Sequence, residues 1–437
     1  MEAITMRSEF CKRVELLAAD FAATLWDGVV ESAGSERADE WMKKHGGGFL
    51  RCALGQALTA RSERLRKTDD AGVCSCGGAM TYRQRKSMEL HTVLPGRDVE
   101  GRAWYAQCEE CHVGAFPLLR EMKADPEGFT LGLRELSLLA GVVEAYQPAQ
   151  EILLQRFAGV DVSRDKIHQL VFLQGKNATG YLKEVAPAME PSAPGRPIYL
   201  GMDGGMVFVD KRWQEVKLGC LFREEDRAEP SKDRGELLRR HVVAVRGTPE
   251  ELWALVEPRV AVRGDQLFVV LGDGAAWIWN LAGFLPNRVE ILDWYHADEH
   301  ISELARTLYG EGTEKAAQFR DVQLTRLADD GVDDVISALQ FLLPHQRSKA
   351  KKSAVEELLG YLDRNRTRML YKTFKSRGFH IGSGCVESAI SHVFQQRMKR
   401  VGMRWHQAGA DAMLALRSIY RTHEAWDPFI AWSSMAA

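Results

Sequence analysis

The sequence predicts a multidomain α+β protein, and three observations predict it. The chain runs to 437 residues, more than one domain usually holds. Up to about residue 178 the apolar residues recur at helical spacing, interrupted by two close cysteine pairs. From residue 197 the pattern changes to apolar, strand-like runs separated by turns and helical stretches. Composition is that of an ordered globular chain, 45% hydrophobic and 27% charged, so a sizeable core can form. No segment approaches ~20 uninterrupted apolar residues, which predicts no membrane span. The opening MEAITMRSEFCKRVELLAADF lacks the layout of a signal peptide, so the expected location is the cytoplasm.

Residues 1–70 read as an N-terminal helical region. EFCKRVELLAADFAATLWDGVV has helical apolar spacing, and QALTARSERLRK resumes as a charged helix after the glycines at 46–48. Residues 71–125 read as zinc-ribbon-like. CSCGGAM and WYAQCEEC carry Cys74, Cys76, Cys108 and Cys111, with Tyr82, Trp104 and Tyr105 in strand-like surroundings. Thiolates paired at such spacing can hold one tetrahedral Zn2+, and four of them leave no open position for chemistry, so the role is structural. The first pair is Cys-x-Cys instead of Cys-x-x-Cys, and His91 or His112 could replace a cysteine. Cys11, Cys52, Cys220 and Cys385 stand alone and read as small buried hydrophobes.

Residues 126–185 carry three helical patches, LRELSLLAGVV, PAQEILLQRFAG and VSRDKIHQLVFLQGKNA. Ser163 is placed to cap the third, and the turn Gly159 to Val162 separates it from the second. This is a helix-turn-helix layout, with Arg164, Lys166, His168 and Gln169 early on the helix that would read base edges in DNA. Paired helices also occur in folds that bind no DNA.

Residues 195–296 and 380–425 form the core, around a helical, basic insertion at 297–379. PIYLGMDGGMVFV, EVKLGCLFR and HVVAVRG are three strands, TPEELWALVEPRV is a helix with a Thr248/Glu251 capping box, and QLFVVLGDG and NRVEILDWY are two further strands. That order fits an α/β sheet of the ribonuclease H type, closed by a helix over GSGCVESAISHVFQQRMKR. Asp203 ends the first strand and Asp273 the fourth, each beside glycines that admit a close approach. If those strands are neighbours, the two carboxylates lie side by side and repel, and a divalent cation with oxygen ligands, Mg2+ or Mn2+, resolves the repulsion. Glu387, early in the closing helix, is the third carboxylate. Such a trio can hold two metals that stabilise the attacking and leaving oxygens of a phosphodiester displacement. Taken singly, each Asp reads as readily as a turn former or helix cap, and Glu387 as a surface residue.

DWYHADEH adds Asp293 and His296 as auxiliary residues at the end of the fifth strand, with Glu299 and His300 following. His296 could equally pack against Trp294, and the same run could suggest a zinc hydrolase. In RMKRVGMRW, Arg397, Lys399, Arg400 and Arg404 stand near Trp405, which suits a phosphate backbone and an unstacked base. The net charge of -2 gives no global sign of nucleic acid, but between residues 345 and 380 Lys and Arg far outnumber Glu356, Glu357 and Asp363. That basic block is either a polyanion-binding face or a solvated helix surface.

The runs YLGMDGG, LGDGAAWIW, ILDWYHADEH, GSGCVES and RMKRVGMRW together resemble the transposases of ISKra-type bacterial insertion sequences, over about residues 130–425. The resemblance implies the DDE class with a ribonuclease H-like catalytic core, with Asp203, Asp273 and Glu387 as the catalytic triad and Asp293 and His296 matching the Cys/Asp-x-x-His signature. It also implies a helical insertion between the second Asp and the Glu. The function that follows is binding of terminal inverted repeats, cleavage at the element ends and joining of 3′-hydroxyls to target DNA, by at least a dimer, in the bacterial nucleoid. Two alternatives remain open: a sequence-specific DNA-binding protein without catalysis, and a ribonuclease H-like nuclease without strand transfer.

Overall fold

The computed structural model describes residues 2–27, 45–96, 98–231, 234–260 and 264–435. The chain is a multidomain α+β protein that divides into two compact units, Met1–Val171 and Phe172–Ala437. Among the described residues, no helix is long and apolar enough to cross a membrane.

In the first unit, α1 (Glu2–Leu25) and α2 (Gly47–Arg66) supply the expected helices. Residues 28–30 of the first predicted stretch lie outside the described residues. The glycines at 47 and 48 open α2 instead of breaking the chain before it. Strands β1 (Met80–Leu90) and β2 (Val99–Cys108) form a long antiparallel hairpin, and β3 (Gly114–Ala115) adds to β2. Helix α2 lies along the hairpin, burying Leu58 with Met88, Leu90, Val99 and Ala103. Its Thr59 and Ser62 hydroxyls accept the backbone N–H groups of Arg102 (3.1 Å) and Trp104 (2.8 Å), which would otherwise be orphaned beside the helix. A short helix, α3 (Pro117–Glu121), closes this part.

Three helices follow at the predicted places. Helix α4 (Leu131–Val143) is capped by Thr130, and α5 (Tyr146–Pro148) continues as a π-helix over Ala149–Ala158 and stops at Gly159, whose φ of 72° is the left-handed conformation a glycine adopts at no steric cost. Helix α6 (Arg164–Glu184) is capped by Ser163, whose hydroxyl accepts from the Lys166 N–H at 3.2 Å. Leu133, Ala140, Leu154, Val160, Val162 and Ile167 pack the three together.

The second unit is built on a five-stranded sheet of order β10-β9-β4-β5-β8. Its members are β4 (Ile198–Val209), β5 (Arg212–Arg223), β8 (His241–Val245), β9 (Phe268–Gly272) and β10 (Arg288–Leu292). Strand β5 is antiparallel to both neighbours, whereas β4, β9 and β10 run parallel. The first and fourth strands of the predicted core are therefore neighbours. A small hairpin of β6 (Arg227–Ser231) and β7 (Arg234–Leu237) was not expected, because that segment is charged and shows no apolar alternation.

Helices cover both faces. Helix α7 (Pro249–Val260) has the capping box that its sequence announces, with Thr248 N–H donating to Glu251 at 2.7 Å, and it sets Val256 against Gly219 of β5. Helix α8 (Ala276–Ala282) follows β9, and α9 (Trp294–Tyr309) follows β10. The 297–379 region is helical throughout: after α9 come α10 (Glu314–Ala328), α11 (Val332–Leu342), α12 (Lys349–Asn365) and α13 (Tyr371–Ser376). The chain returns to the sheet as α14 (Gly384–Ile390), which passes into a π-helix (Ser391–Gln395) and a last turn (Gln396–Met398). Helix α15 (Gln407–Arg421) shields the edge strand β8: its Ser418 and Thr422 hydroxyls accept the Ala244 and Val242 amides at 3.1 and 2.9 Å. Helix α16 (Trp426–Met435) sends Phe429 against Tyr181.

Candidate active site

The site grows out of the β4–β9 pair. The parallel register sets Gly201 opposite Leu271. Two residues farther on stand Asp203 and Asp273, and their carboxylates are near enough for Asp273 to raise the Asp203 carboxyl. One expectation needs correction here: Asp273 directly follows the last residue of β9, but Asp203 does not end its strand. Pairing with β9 stops at Gly201, yet β4 runs on against β5 as far as Val209, so Asp203 sits mid-strand beyond the reach of its parallel neighbour.

Two glycines on that face bring in the third carboxylate. A Cβ on Gly201 would lie 2.0 Å from Val386, and one on Gly205 would lie 2.5 Å from Phe394. Helix α14 and its π-helical extension therefore rest directly on β4 at either side of Asp203, with Glu387 beside Val386. Burial raises the Asp203 carboxyl to about 6 against the amide of Gly204, which lowers it from 2.5 Å; Asp273 and Glu387 raise it further, and His296 opposes them. Asp203 thus senses all three other polar groups of the predicted site. The three carboxylates do not close into a tight ligand cage: among the described residues, the groups of three or more potential ligands within 4.8 Å of one another lie elsewhere.

Asp293, expected as an auxiliary residue, is tied into the backbone around it. It is fully buried; Oδ1 accepts the His296 N–H at 2.9 Å as the cap of α9, and Oδ2 accepts the Ser383 N–H. Its own N–H donates to Gly272 O at 2.9 Å, and the Trp294 N–H donates to Ile381 O at 3.0 Å. Asp293 ties the end of β9, the start of α9 and the loop leading to Glu387 into one knot. His296 stays half-buried, 3.7 Å from Glu299.

The insertion contributes a residue that the sequence did not mark. The Tyr361 hydroxyl of α12 donates to Asp273 O at 2.9 Å, and its ring lies where a Cβ on Gly274 would fall, at 2.8 Å; Gly274 has φ of 104°. His300 packs on Tyr361 with ring centroids 4.2 Å apart, and burial lowers its pKa. No local motif surrounds Tyr361, so only the fold places it at the Asp273 turn.

The basic residues divide. Arg397 is buried, under Trp405 at 5.3 Å, so it does not line a surface as expected; its place at the close of α14 turns it inward. Lys399, Arg400 and Arg404 are exposed. Half-buried Trp405 donates through Nε1 to Met398 O, and its backbone pairs with Phe208 and Asp210 at the end of β4, which holds the 399–406 loop against the sheet. In the insertion, Arg368 is bound to Glu290 at 2.7 Å, Lys372 to Asp329 at 3.1 Å, and Arg366 to Asp333 and Asp363, so these three charges of the basic block are neutralised locally. In the first unit, Lys166 is committed to Asp125 (3.0 Å) and Glu127 (2.7 Å) with its side chain 9% exposed, so it does not face outward as predicted; Arg164, His168 and Gln169 are exposed.

The four predicted cysteines do converge. Cys74 Sγ lies 3.6 Å from Cys111 Sγ, and Cys76 Sγ lies 3.5 Å from Cys108 Sγ, near the ~3.8 Å edge of a ZnS4 tetrahedron with 2.3 Å bonds. The amide of Cys76 and the Cys111 thiol pull the Cys74 thiol down to about 6. The cluster could hold a metal such as zinc; His91 and His112 are not among its ligands. Of the lone cysteines, Cys220 is buried as expected, but Cys11 and Cys52 are exposed on their helices.

A mixed sheet flanked by helices, with acidic side chains gathered where two parallel strands meet a crossing helix, is thus what the second unit presents. Residues 127–428 match the model of an uncharacterised protein family, UPF0236, and the chain belongs to that family. Similar curated proteins are two UPF0236 proteins of Caldanaerobacter subterraneus subsp. tengcongensis, TTE2489 and TTE0402. Each is 23% identical over 173 residues, which is 39% of this chain and 35% or 33% of the relative. The chain therefore spans about a third of the length of the curated relatives it matches.

Proposed function

We propose that this protein is a DNA transposase of the DDE class, similar to those of ISKra-type insertion sequences, with Asp203, Asp273 and Glu387 as its catalytic carboxylates. The observation that carries the reading is the gathering of Asp203, just past the last paired residue of β4 with β9, with Asp273, just past the end of β9, and Glu387 on the helix that rests on β4. The strand order, with β5 alone antiparallel, supports a ribonuclease H-like core. The donors at the site are carboxylate oxygens, which suits two Mg2+ or Mn2+ ions; when bound, such ions stabilise charge on the attacking and leaving oxygens of a phosphodiester. Asp203, Asp273 and Glu387 hold them, Asp293 and Tyr361 fix the loops that carry those acids, and His296 orients polar groups at the rim.

Arg164, His168 and Gln169, on a helix-turn-helix, contact base edges of the terminal repeat, while Lys399, Arg400 and Arg404 bind phosphates. The cysteine cluster holds a structural Zn2+ as a zinc ribbon. Cutting two element ends calls for a dimer or larger assembly on DNA, working in the cytoplasm at the nucleoid.

The test incubates the full chain with DNA ends of its own element and Mg2+ or Mn2+, beside Asp273→Asn. Expected are metal-dependent nicking by wild type, none by the variant, and joined product from pre-cut ends. Nicking without joining replaces transposase by nuclease. Specific binding without cleavage under either metal replaces it by a DNA-binding protein.

A further inference from the structure

The turn of the β1–β2 hairpin, at the opposite end from the cysteine cluster, carries a second gathering of ligand-type side chains. Glu89, His91 and Asp98 each bring a ligand atom to within 4.8 Å of the others. The backbone explains why. Leu90 pairs with Val99 and Glu89 with Glu100, so Glu89, His91 and Asp98 project on one face across the two strands. The imidazole is held in advance. The His91 N–H donates to Gly128 O at 2.9 Å, its carbonyl accepts from the Thr130 N–H at 3.0 Å, and its ring lies over Phe129 at 4.3 Å between centroids. Nδ1 approaches the Asp98 carboxylate at 2.6 Å.

Charge supplies an independent reason for a ligand. Glu89 and Glu100 are exposed, directly opposed across the hairpin and of like sign, an arrangement that destabilises a sheet unless a cation offsets it. Neither has a cationic side chain paired with it among the described residues. The His91 and Asp98 side chains are 21% and 44% exposed, which leaves the site open to solvent on one side.

We infer that Glu89, His91 and Asp98 form a divalent-cation site, with Glu100 deepening its negative potential. One imidazole nitrogen with carboxylate oxygens selects borderline ions such as Zn2+ or Co2+, and three protein ligands leave the remaining positions to water. Bound there, the ion ties the end of β1 to the start of β2 across the hairpin turn. The site is distinct in chemistry from the all-sulfur cluster, and it does not depend on the transposase reading.

The probe is Co2+, added to the full chain after the cysteine cluster has been filled with Zn2+, in an Asp273→Asn background that weakens the carboxylate trio. Equilibrium dialysis should show one Co2+ per chain, with the weak visible bands of nitrogen and oxygen ligands and no thiolate charge-transfer band. His91→Gln and Glu89→Gln should each abolish that equivalent. Glu89 is exposed, so its variant keeps the fold, and unchanged circular dichroism checks both. The inference is overturned if no Co2+ binds beyond the zinc-filled cluster, or if both variants bind it as the parent does.

Discussion

Burial raises the Asp203 carboxyl to about 6 from an ordinary 3.8, with Asp273 and Glu387 adding to the rise, and proton linkage fixes what that does to stability. Between those two values the folded chain binds a proton that the unfolded chain has released, so stability falls as pH rises through about 4 to 6, and the charged form is fully penalised above that window. Asp203→Asn removes the penalty. In chelated buffer it should stabilise the protein by on the order of 2 kcal/mol at about pH 7.5 and by close to nothing at about pH 3.5. Urea melts at the two pH values measure this, and an equal effect at both would show that Asp203 does not carry the charge burden described. Asp293 invites the opposite experiment. Its two oxygens accept two backbone amides in full burial, so Asp293→Ala should cost roughly 3 kcal/mol. Asp293→Asn can still accept from His296, but it sets its NH2 against the Ser383 N–H, and it should cost nearly as much. Near-wild-type stability of the Asn variant would mean that the Ser383 contact does not hold the loop.

Among the elements, the approach of α14 to β4 decides where Glu387 stands, and it depends on two missing side chains. Gly201→Ala puts a methyl 2.0 Å from Val386, so it should cost about 2 kcal/mol by overpacking, and adding Val386→Ala should recover most of that. A double-mutant cycle measures the coupling, and purely additive costs would show that the helix does not rest there. The same contact shows how much could be read from the sequence. Apolar runs set off by turns and charged stretches are local signals, and β4, β5, β8, β9 and β10 lie where those runs fall. The capping residues Thr248 and Ser163 were equally legible, because a cap is fixed by its next three residues. What sequence could not give depends on tertiary contacts. Arg397 stands in a basic run but faces inward, Lys166 finds acids some forty residues earlier, and Tyr361 meets Asp273 across 88 positions. The π-helical turns at 149–158 and 391–395 were unreadable for a related reason. A one-residue slip leaves composition helical, and only packing shows it: at 391–395 the buried Arg417 donates to the freed carbonyls of His392 and Val393.

For the molecule as a whole, the division into two compact units makes a claim about cooperativity. Met1–Val171 and Phe172–Ala437 each enclose a core of their own, and the cysteine cluster belongs to the first alone. Its sulfurs join the loop before β1 to the end of β2 and the turn beyond, so the hairpin's free energy at that end depends on keeping four thiols 3.5–3.6 Å apart in pairs. Ligands that must shed protons to bind metal make that free energy metal-linked. The sheet of the second unit does not draw on those thiols: buried aliphatic residues of β4 and β9 and the hydroxyls of Ser418 and Thr422 hold it. Replacing Cys74 by Ser should therefore raise amide exchange along β1, β2 and β3 by at least about tenfold, equivalent to 1.4 kcal/mol or more of local stability, while β4 and β9 exchange as before. Hydrogen exchange read by mass spectrometry resolves the two regions in one experiment. If β4 and β9 lose protection in step with the hairpin, the chain unfolds as one cooperative body and the two units are not independent in stability.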